Sequence, residues 1–391
     1  MKRAYLTKAV VTLSWISLLS DVASEMLYPI MPVYLKTIGF TALVIGILEG
    51  LAAFVVGISN AWFGNYSDRL GSRIRFIRVG YFLSAVSKSM MALFTWAPWI
   101  FLSRSTDRLG KGIRTGARDA MLADESHESH RGKVFGFHRG MDSIGAAIGP
   151  CCALLYLYFY PGNYRTLFLI AFLPGMAGVA LTFLLKEKHV PAAETNLKKP
   201  FGFFSYWRDA RTDFRKVTGG LLAFALFNSS DAFILLIAKH NGLSDVMIIG
   251  AYVFYNLVYA IIAFPAGIIA DKLGPKRMFV IGLLFFIATY ALMPYANTIA
   301  LLATAFFLYG IYAACTEGIS KAWISMLCKK GERATALGFY SGSVCIVALL
   351  SSTAAGLLWI KFSPAFMFYV SASGALLIVL YFLSIKNENH L

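Results

Sequence analysis

Apolar stretches long enough to cross a membrane recur along almost the whole chain, and no other feature of the sequence restricts its fold as strongly. A helix that crosses the hydrocarbon core of a bilayer needs about 20 predominantly apolar residues. Twelve stretches have about this length, at residues 9–35, 41–63, 76–97, 99–122, 134–159, 163–185, 217–238, 245–270, 277–295, 298–327, 334–360 and 363–385. Lipid offers no hydrogen-bond partners to an open backbone, and uniformly apolar runs are not typical of barrel strands. The sequence therefore predicts an all-α membrane protein with twelve transmembrane helices.

Composition supports this prediction and excludes a large soluble domain. Hydrophobic residues make up 58% of the 391 residues and charged residues only 14%, against averages of about 45–50% and 25% in soluble domains. The net charge of +16 would indicate nucleic acid as the partner of a soluble protein. Here Lys and Arg that are retained in short cytoplasmic loops account for the charge. We therefore expect the lipid bilayer, and no nucleic acid, as a partner.

The distribution of Lys and Arg predicts the orientation of the chain. Basic residues are concentrated in the segments on the same side as both termini. The opposite loops hold only four, which are Lys36, Arg165, Lys239 and Lys361. The positive-inside bias therefore predicts cytoplasmic termini. The basic N-terminus resembles that of a signal peptide, but the apolar character resumes after residue 25, so we expect the first span to be retained.

The chain is predicted to consist of two related halves. Residues 186–216 form the longest polar connection and predict a cytoplasmic linker between six-helix bundles at 1–185 and 217–391. An internal repeat supports this division. Gly64-Asn-Tyr-Ser-Asp68-Arg69-Leu-Gly71-Ser-Arg73 recurs in the second half as Gly267-Ile-Ile-Ala-Asp271-Lys272-Leu-Gly274-Pro-Lys276. At nearly the same offset, Arg131, Gly136, Phe137 and Gly140 recur as Arg333, Gly338, Phe339 and Gly342.

The first repeated segment resembles the G-x-x-x-D-R-x-G-[RK]-[RK] signature of the major facilitator superfamily. The signature lies between the second and third helices of that family and recurs between the eighth and ninth, as it does here. The resemblance implies two pseudo-symmetric six-helix bundles and a secondary transporter in the bacterial inner membrane. It also implies a monomer that binds protons and a small-molecule substrate, without a cofactor. An enzyme is not expected, because no nucleophile has an adjacent His base.

The resemblance assigns a gating role to the repeated loop. The residues concerned are Gly64, Asp68, Arg69, Gly71, Arg73, Gly267, Asp271, Lys272 and Gly274. A carboxylate is favoured near the positive end of a helix dipole, so we expect Asp68 to face the N-terminus of a neighbouring helix.

The fourth span carries a stripe of charge on one helical face. Its members are Arg104, Asp107, Arg108, Lys111, Arg114 and Arg118. Intramembrane charges are costly, so the stripe must face protein or water. Arg108-x-x-x-Gly112 resembles an element of the family's fourth helix whose arginine lies in the central cavity. We expect Arg104, Arg108 and Lys111 there, whereas Arg114, Arg118 and Asp119 either share the cavity or reach the cytoplasmic surface.

Carboxylates in other spans are candidates for proton coupling. Asp21 and Glu25 lie one turn apart in the first span, where they can face Arg104 and Arg108. A carboxylate whose environment changes during transport can take up and release a proton; a permanent structural ion pair is the alternative. Further candidates for the proton or substrate site are Asp142, Asp231 and Glu317, together with Asp107 of the stripe. Glu317 and Lys321 are four residues apart, so an internal ion pair explains them as well as substrate contact does.

The fifth span carries a motif that bears on the direction of transport. Gly145-x-x-x-Gly149-Pro150 resembles a motif of proton antiporters in the superfamily, although close packing of small residues is the plainer explanation. It favours proton-coupled export of a small organic compound by antiport. The alternative is proton-linked uptake of an anionic, carboxylate-rich metabolite or siderophore; a membrane enzyme or receptor is the third possibility. Residues 124–130 hold acids and histidines without the spacing of a metal site, so no metal is expected.

Overall fold

The computed structural model of the chain describes residues 6–28, 30–31, 34–35, 38–40, 42–186, 203–229, 231–243 and 245–385. Within these ranges the chain forms α-helices joined by turns and short 3-10 segments. The helices of the N-terminal half are α1 (Lys8–Glu25), α2 (Ala42–Leu70), α3 (Ile74–Leu93), α4 (Ala97–Glu125), α5 (Arg131–Phe159) and α6 (Tyr164–Leu181). A short helix, α7 (Phe203–Asp209), precedes the C-terminal half. That half contains α8 (Thr212–Ala225), α9 (Ala232–His240), α10 (Asp245–Leu273), α11 (Pro275–Leu292), α12 (Ile299–Met326), α13 (Arg333–Lys361) and α14 (Pro364–Ser384).

Seven helices in the described ranges are long and apolar enough to cross a membrane. They are α5, α6 and α10 to α14. Among the other helices, α4 is amphipathic because it carries the charged stripe, and the seventh predicted span is divided. Helices that carry charges at membrane depth must turn those charges toward protein or water.

Two predicted spans differ from the helices observed. The first span was expected to be helical over 9–35, but α1 ends at Glu25 and residues 26–28 form turns, before helical residues return at Met31, Tyr34 and Leu35. The prolines that follow in the sequence cannot donate a backbone hydrogen bond, which makes a continuous helix unfavourable. The seventh span was expected over 217–238, but it consists of α8 and α9. Asn228, Ser229 and Asp231 lie between these helices, and such short polar side chains compete with helical hydrogen bonds.

Helix packing relates the two halves by a pseudo-two-fold arrangement. In the N-terminal half α1 packs on α5 and α6, and α4 packs on α2 and α3; in the C-terminal half α12 packs on α10 and α11. Two extensive contacts join the halves, α2 against α13 and α5 against α10. Each contact brings the first repeated motif of one half against the second repeated motif of the other.

The apolar core is continuous in the C-terminal half and divided in the N-terminal half. One buried cluster extends through the C-terminal half from Tyr206 to Phe382. The N-terminal half has two clusters, one around Leu13 and Ile77 and another around Val22 and Phe168. The stripe of α4 contributes charged side chains to the two candidate cavities described next, one inside the N-terminal half and one between the halves.

Candidate functional site

The charged stripe of α4 borders a small cavity inside the N-terminal half, which we call the charged alcove. The alcove has a volume of about 50 Å³ and lies between α1, α3 and α4. Its charged lining residues are Asp21, Glu25, Lys88, Arg104, Asp107, Arg108, Lys111 and Arg114. Lys88 Nζ donates to Asp107 Oδ1 at 2.7 Å, so these two charges compensate each other. The alcove therefore contains the predicted acids of α1 and the predicted cations of α4, although Arg104 and Arg108 were expected in the central cavity between the halves.

A larger cavity, the central cavity, lies between the two halves. Its volume is about 390 Å³, and α1, α2, α4 and α5 line it opposite α8, α11, α12 and α13. Asp21, Lys111 and Arg114 line both the central cavity and the charged alcove. These three residues therefore connect the two spaces.

Arg114 and Arg118 are buried and do not reach the cytoplasmic surface. Arg114 donates to Ser84 Oγ at 2.6 Å and to Ser20 Oγ at 3.2 Å, and its guanidinium lies 4.3 Å from the centre of the Tyr81 ring. Arg118 lies 2.9 Å from Asp119, which is also buried. The surface alternative for these three charges is therefore wrong, because each has polar partners inside the protein.

Two ion pairs cross the cavity between the halves. Lys321 Nζ lies 2.5 Å from Asp119 Oδ2, and Arg139 forms an ion pair with Glu317. Arg139 also contacts Asp142 Oδ2 at 3.2 Å. The alternative of an internal Glu317–Lys321 pair is therefore wrong, because each residue has a partner on the opposite half.

Asp21 and Glu25 have a different environment from the paired acids. Neither carboxylate makes a hydrogen bond or an ion pair within 4 Å to another described residue. Asp21 interacts electrostatically with Lys111 and Arg114 and with the like charges of Asp142 and Glu25. Glu25 interacts with Lys111, Arg108 and Lys88. Of the two expected α4 partners, Arg108 interacts with Glu25, and the other main α4 partners of the two acids, Lys111 and Arg114, lie further along the helix.

Asp231 lines neither cavity. It lies at the break between α8 and α9, where its Oδ1 accepts a hydrogen bond from the Tyr309 hydroxyl at 2.6 Å. The prediction that Asp231 contributes to the substrate cavity is therefore not supported by its position.

His138 is a buried polar residue that the sequence analysis did not single out. It is 1% exposed, its Nδ1 lies 3.3 Å from Ser14 Oγ, and its Nε2 lies 3.8 Å from Asp142 Oδ1. The spacing of four residues between His138 and Asp142 on one helix is a signal that could have identified it.

The repeated loops join the halves at one end of the bundle, the motif end, where α2 meets α3 and α10 meets α11. Asp68 is 2% exposed and accepts hydrogen bonds from Thr335 N at 2.6 Å and Thr335 Oγ1 at 2.7 Å, at the start of α13. Asp68 also forms an ion pair with Arg73. In the second copy, Asp271 accepts from Gly132 N at 2.8 Å and Lys133 N at 3.1 Å. Both carboxylates therefore face the N-terminus of a helix in the opposite half, as the sequence predicts for Asp68.

Two repeated arginines strengthen the same end. Arg333 Nη1 lies 2.6 Å from Asp124 Oδ1 near the end of α4, and Asp124 also lies 3.6 Å from Arg73. Arg131 Nη1 donates to the Ser325 carbonyl at 3.0 Å near the end of α12. Asp124, considered above as part of a metal site, is thus committed to two arginines.

Glycines of the signature permit the close contacts and tight turns at this end. Gly71 and Gly274 adopt φ values of +59° and +88° between consecutive helices, a conformation that favours glycine. Gly64 lies against the backbone of Ala334, and Gly267 lies against that of Gly132, so a side chain at either position would separate the halves. Of the predicted loop residues, Arg73 is buried, Arg69 is partly buried and Lys272 is exposed.

The motif of the fifth span positions α1. A Cβ atom on Gly149 would lie 2.7 Å from both Met26 N and Val22 O, and one on Gly145 would lie 2.6 Å from Leu18 O. Pro150 is buried within α5. The two glycines therefore set the distance between α5 and the helix that carries Asp21 and Glu25.

Gly149→Ala should destabilise the protein by about 1–3 kcal/mol, because overpacked backbone contacts cannot relax easily. Gly250→Ala is the matched control, since a Cβ atom there has no atom within 4 Å. Thermal unfolding of both purified variants tests the expectation. Equal melting temperatures for Gly149→Ala and the wild type would contradict the packing role.

Comparison with known proteins identifies the family. The sequence pattern that defines the Major Facilitator Superfamily matches residues 13–250 and 217–390. The chain belongs to the major facilitator superfamily. It is 33% identical over 372 residues to an uncharacterised MFS-type transporter of Methanocaldococcus jannaschii, which covers 93% of this chain and 91% of the relative. It is also 30% identical over 122 residues to the quinolone resistance protein NorA of Staphylococcus aureus, which covers 31% of each chain.

Solved structures of the superfamily share the fold. The human organic anion transporter MFSD10 (TETRAN) has a TM-score of 0.81 at 16% identity, covering 96% of this chain and 98% of that one. The transporter FucP in its outward conformation has a TM-score of 0.80 at 13% identity, covering 97% and 99%. The predicted MFS fold, with twelve transmembrane helices, is thereby confirmed, and the chain is a multi-pass membrane transporter and not an enzyme.

Proposed function

We propose that this transporter moves a small organic anion through the central cavity by alternating access, coupled to protons. The charge of the cavity carries the proposal. Five cations line it, Lys111, Arg114, Arg118, Arg139 and Lys321, against three acids, Asp21, Asp142 and Glu317. Cations that outnumber acids in the lining of a cavity favour an anionic ligand.

The motif end is proposed as the cytoplasmic gate. Lys and Arg are concentrated in the loops on the side of the motif end, which supports cytoplasmic termini in a bacterial inner membrane. The moving units are proposed to be residues 1–185 and 217–391, joined by the linker at 186–216. Opening toward the cytoplasm would then break the contacts of Asp68, Asp271, Arg131 and Arg333, and would separate the Lys321–Asp119 and Arg139–Glu317 pairs.

Asp21 and Glu25 are proposed to carry the proton. When either acid is protonated, the positive charges of Lys111 and Arg114 are less compensated and attract an anion more strongly. Linkage is reciprocal, so a bound anion also favours the protonated acid. Proton and anion therefore bind together and move in the same direction, which corresponds to proton-linked uptake under an inward proton gradient.

Export by antiport is the second candidate. The Gly145-x-x-x-Gly149-Pro150 motif and the partial similarity to a quinolone resistance protein favour it. A cationic compound would compete with the proton for Asp21 and Glu25, because the compound and the proton are both positively charged. The two candidates are therefore distinguished by whether proton binding strengthens or weakens substrate binding.

A thermal-shift screen with anionic and cationic compounds at two pH values selects a probe, whose flux is then measured in proteoliposomes. We expect anions to stabilise the protein more at the lower pH and to accumulate when the pH gradient is imposed. Stabilisation by cations alone, stronger at the higher pH, would favour antiport. Flux that ignores the pH gradient would contradict proton coupling.

A further inference from the structure

We infer that the substrate is an organic monoanion with an aromatic or similarly flat apolar body, whose head and body contact different halves of the protein. This inference rests on the proposed function and names the class of compound that the same cavity accepts. It follows from the way in which charged and aromatic side chains are divided between the two walls of the central cavity.

The wall from the N-terminal half is polar and charged. It contributes four of the five lining cations, and none of its described lining residues is aromatic. Lys111 is exposed and lines the cavity, and its ammonium group makes no hydrogen bond or ion pair with another described residue. Arg114 is held by two hydroxyl groups and by the Tyr81 ring, with no carboxylate within 4 Å among the described residues. Lys111 and Arg114 therefore remain available for the negative head of a ligand.

The wall from the C-terminal half is aromatic. Phe224, Phe279, Tyr312 and Tyr340 line it from four different helices. The Phe224 ring lies edge-on to Tyr312, with centroids 6.0 Å apart, and edge-on to Phe279, with centroids 5.9 Å apart. Aromatic side chains prefer this geometry with one another and with aromatic ligands.

The charges on the aromatic wall are already compensated. Lys321 pairs with Asp119 and Glu317 pairs with Arg139, and both pairs connect the two halves. A ligand that meets this wall therefore encounters rings, aliphatic groups and the neutral polar groups of Asn228, Thr316, Ser320 and Ser341 rather than a free charge. The uncompensated cations lie on the other side, at the opening of the charged alcove.

This division disfavours two other classes of ligand. A compact anion with several carboxylates would press some of its charge against the aromatic wall, and burying an unpaired charge is costly. A cationic aromatic compound would place its charge beside Lys111 and Arg114. An aromatic monoanion satisfies both walls at once, which narrows the carboxylate-rich class expected from the sequence.

Calorimetric titration of the purified full-length protein in nanodiscs with three probes tests the inference. The probes are 2-naphthylacetate, its neutral amide 2-naphthylacetamide, and citrate. We expect saturable binding of 2-naphthylacetate, with the amide and citrate at least about tenfold weaker, since one charge-assisted hydrogen bond corresponds to about 10- to 100-fold in affinity.

Variants test which wall binds the charged head of the probe and which binds its aromatic body. Lys111→Gln should weaken 2-naphthylacetate by about 10- to 100-fold and leave the amide unchanged. Tyr312→Leu should weaken both naphthyl probes. Arg215→Gln replaces an exposed cation outside the cavity and should change neither. Tyr312 is buried, so the melting temperature of each variant is measured as a control for loss of stability. Lys111→Gln provides a test that does not disturb the aromatic core.

Several results would overturn the inference: no saturable binding of 2-naphthylacetate, equal binding of acid and amide, tighter binding of citrate, or wild-type affinity in Lys111→Gln. These results are distinct from failure of the proposed function. Binding of 2-naphthylacetate without proton-linked flux would contradict the function and leave the substrate class standing. Proton-linked flux of citrate without 2-naphthylacetate binding would contradict the substrate class and leave the proposed function standing.

Discussion

Vesicles that contain Asp21→Asn or Glu25→Gln protein should lose transport driven by a pH gradient but keep exchange of substrate across the membrane. Both acids line the charged alcove, and neither has an ion-pair partner within 4 Å among the described residues. The amide cannot take up a proton, but it leaves Lys111 and Arg114 as free to bind an anion as the protonated acid does. Wild-type affinity for an anionic probe should rise as the pH falls, and the variant of the proton-carrying acid should lose this dependence.

The decisive measurement is the proton flux that accompanies substrate movement in proteoliposomes. Asp107→Asn is a useful control, because Asp107 lies in the same alcove but is paired with Lys88. Breaking a buried pair costs roughly 3–5 kcal/mol, so this variant should melt at a lower temperature with an unchanged proton-to-substrate ratio in the remaining protein. If Asp21→Asn and Glu25→Gln behave in the same way as this control, their role is structural. The proton site would then lie elsewhere, with Asp142 and its neighbour His138 as the next candidates.

Asp68→Asn should lower the transport rate by about tenfold or more, while Asp271→Asn should have a smaller effect. A change of 1.4 kcal/mol in the balance between open and closed gates corresponds to a factor of ten. Asp68 is 2% exposed and holds both the start of α13 and the buried Arg73. Asp271 is more exposed, and the contacts described for it are with backbone amides. Removing the charge therefore costs more at Asp68, although an amide retains part of the hydrogen bonding.

Initial transport rates at equal protein content, together with melting curves, check this prediction. Thr335→Val removes one hydroxyl donor to Asp68 and keeps the backbone contact. Its effect on the transport rate should therefore fall between those of Asp68→Asn and Asp271→Asn. Wild-type rates in Asp68→Asn vesicles would contradict the gating role. Equal defects in the Asp68 and Asp271 variants would mean that the ion pair with Arg73 does not matter.

The helices and the duplication could be predicted because both depend on local patterns. Apolar length identified the spans, and the repeated signature placed the loops that join α2 to α3 and α10 to α11. The division of the seventh span was missed because 228–231 is a short polar segment within a longer apolar run. The interruption of the first span after Glu25 was missed because apolar residues continue beyond it, although the prolines there disfavour a continuous helix.

The partners of individual charges could not be predicted in the same way. The spacing of Glu317 and Lys321 permits a pair along α12, but the opposite half places Arg139 and Asp119 within reach. Such contacts depend on how two bundles meet, which a single sequence does not specify. The charged stripe of α4 was predicted as a unit, whereas its division between an alcove and a central cavity follows from the packing of α1 and α3 around it.

The two contacts between the halves at the motif end, α2 against α13 and α5 against α10, have the form of an isologous interface. One patch, containing Gly64 and Asp68, binds a second patch of the other half, containing Arg333 and Gly338, and the reciprocal contact uses the corresponding residues. A six-helix unit that carries both patches is complementary to itself, so two identical copies could form a closed dimer with the same pair of contacts. Covalent linkage of the copies removes the requirement for identity. One half can then specialise in charge and the other in aromatic surface, while both contacts between the halves are kept.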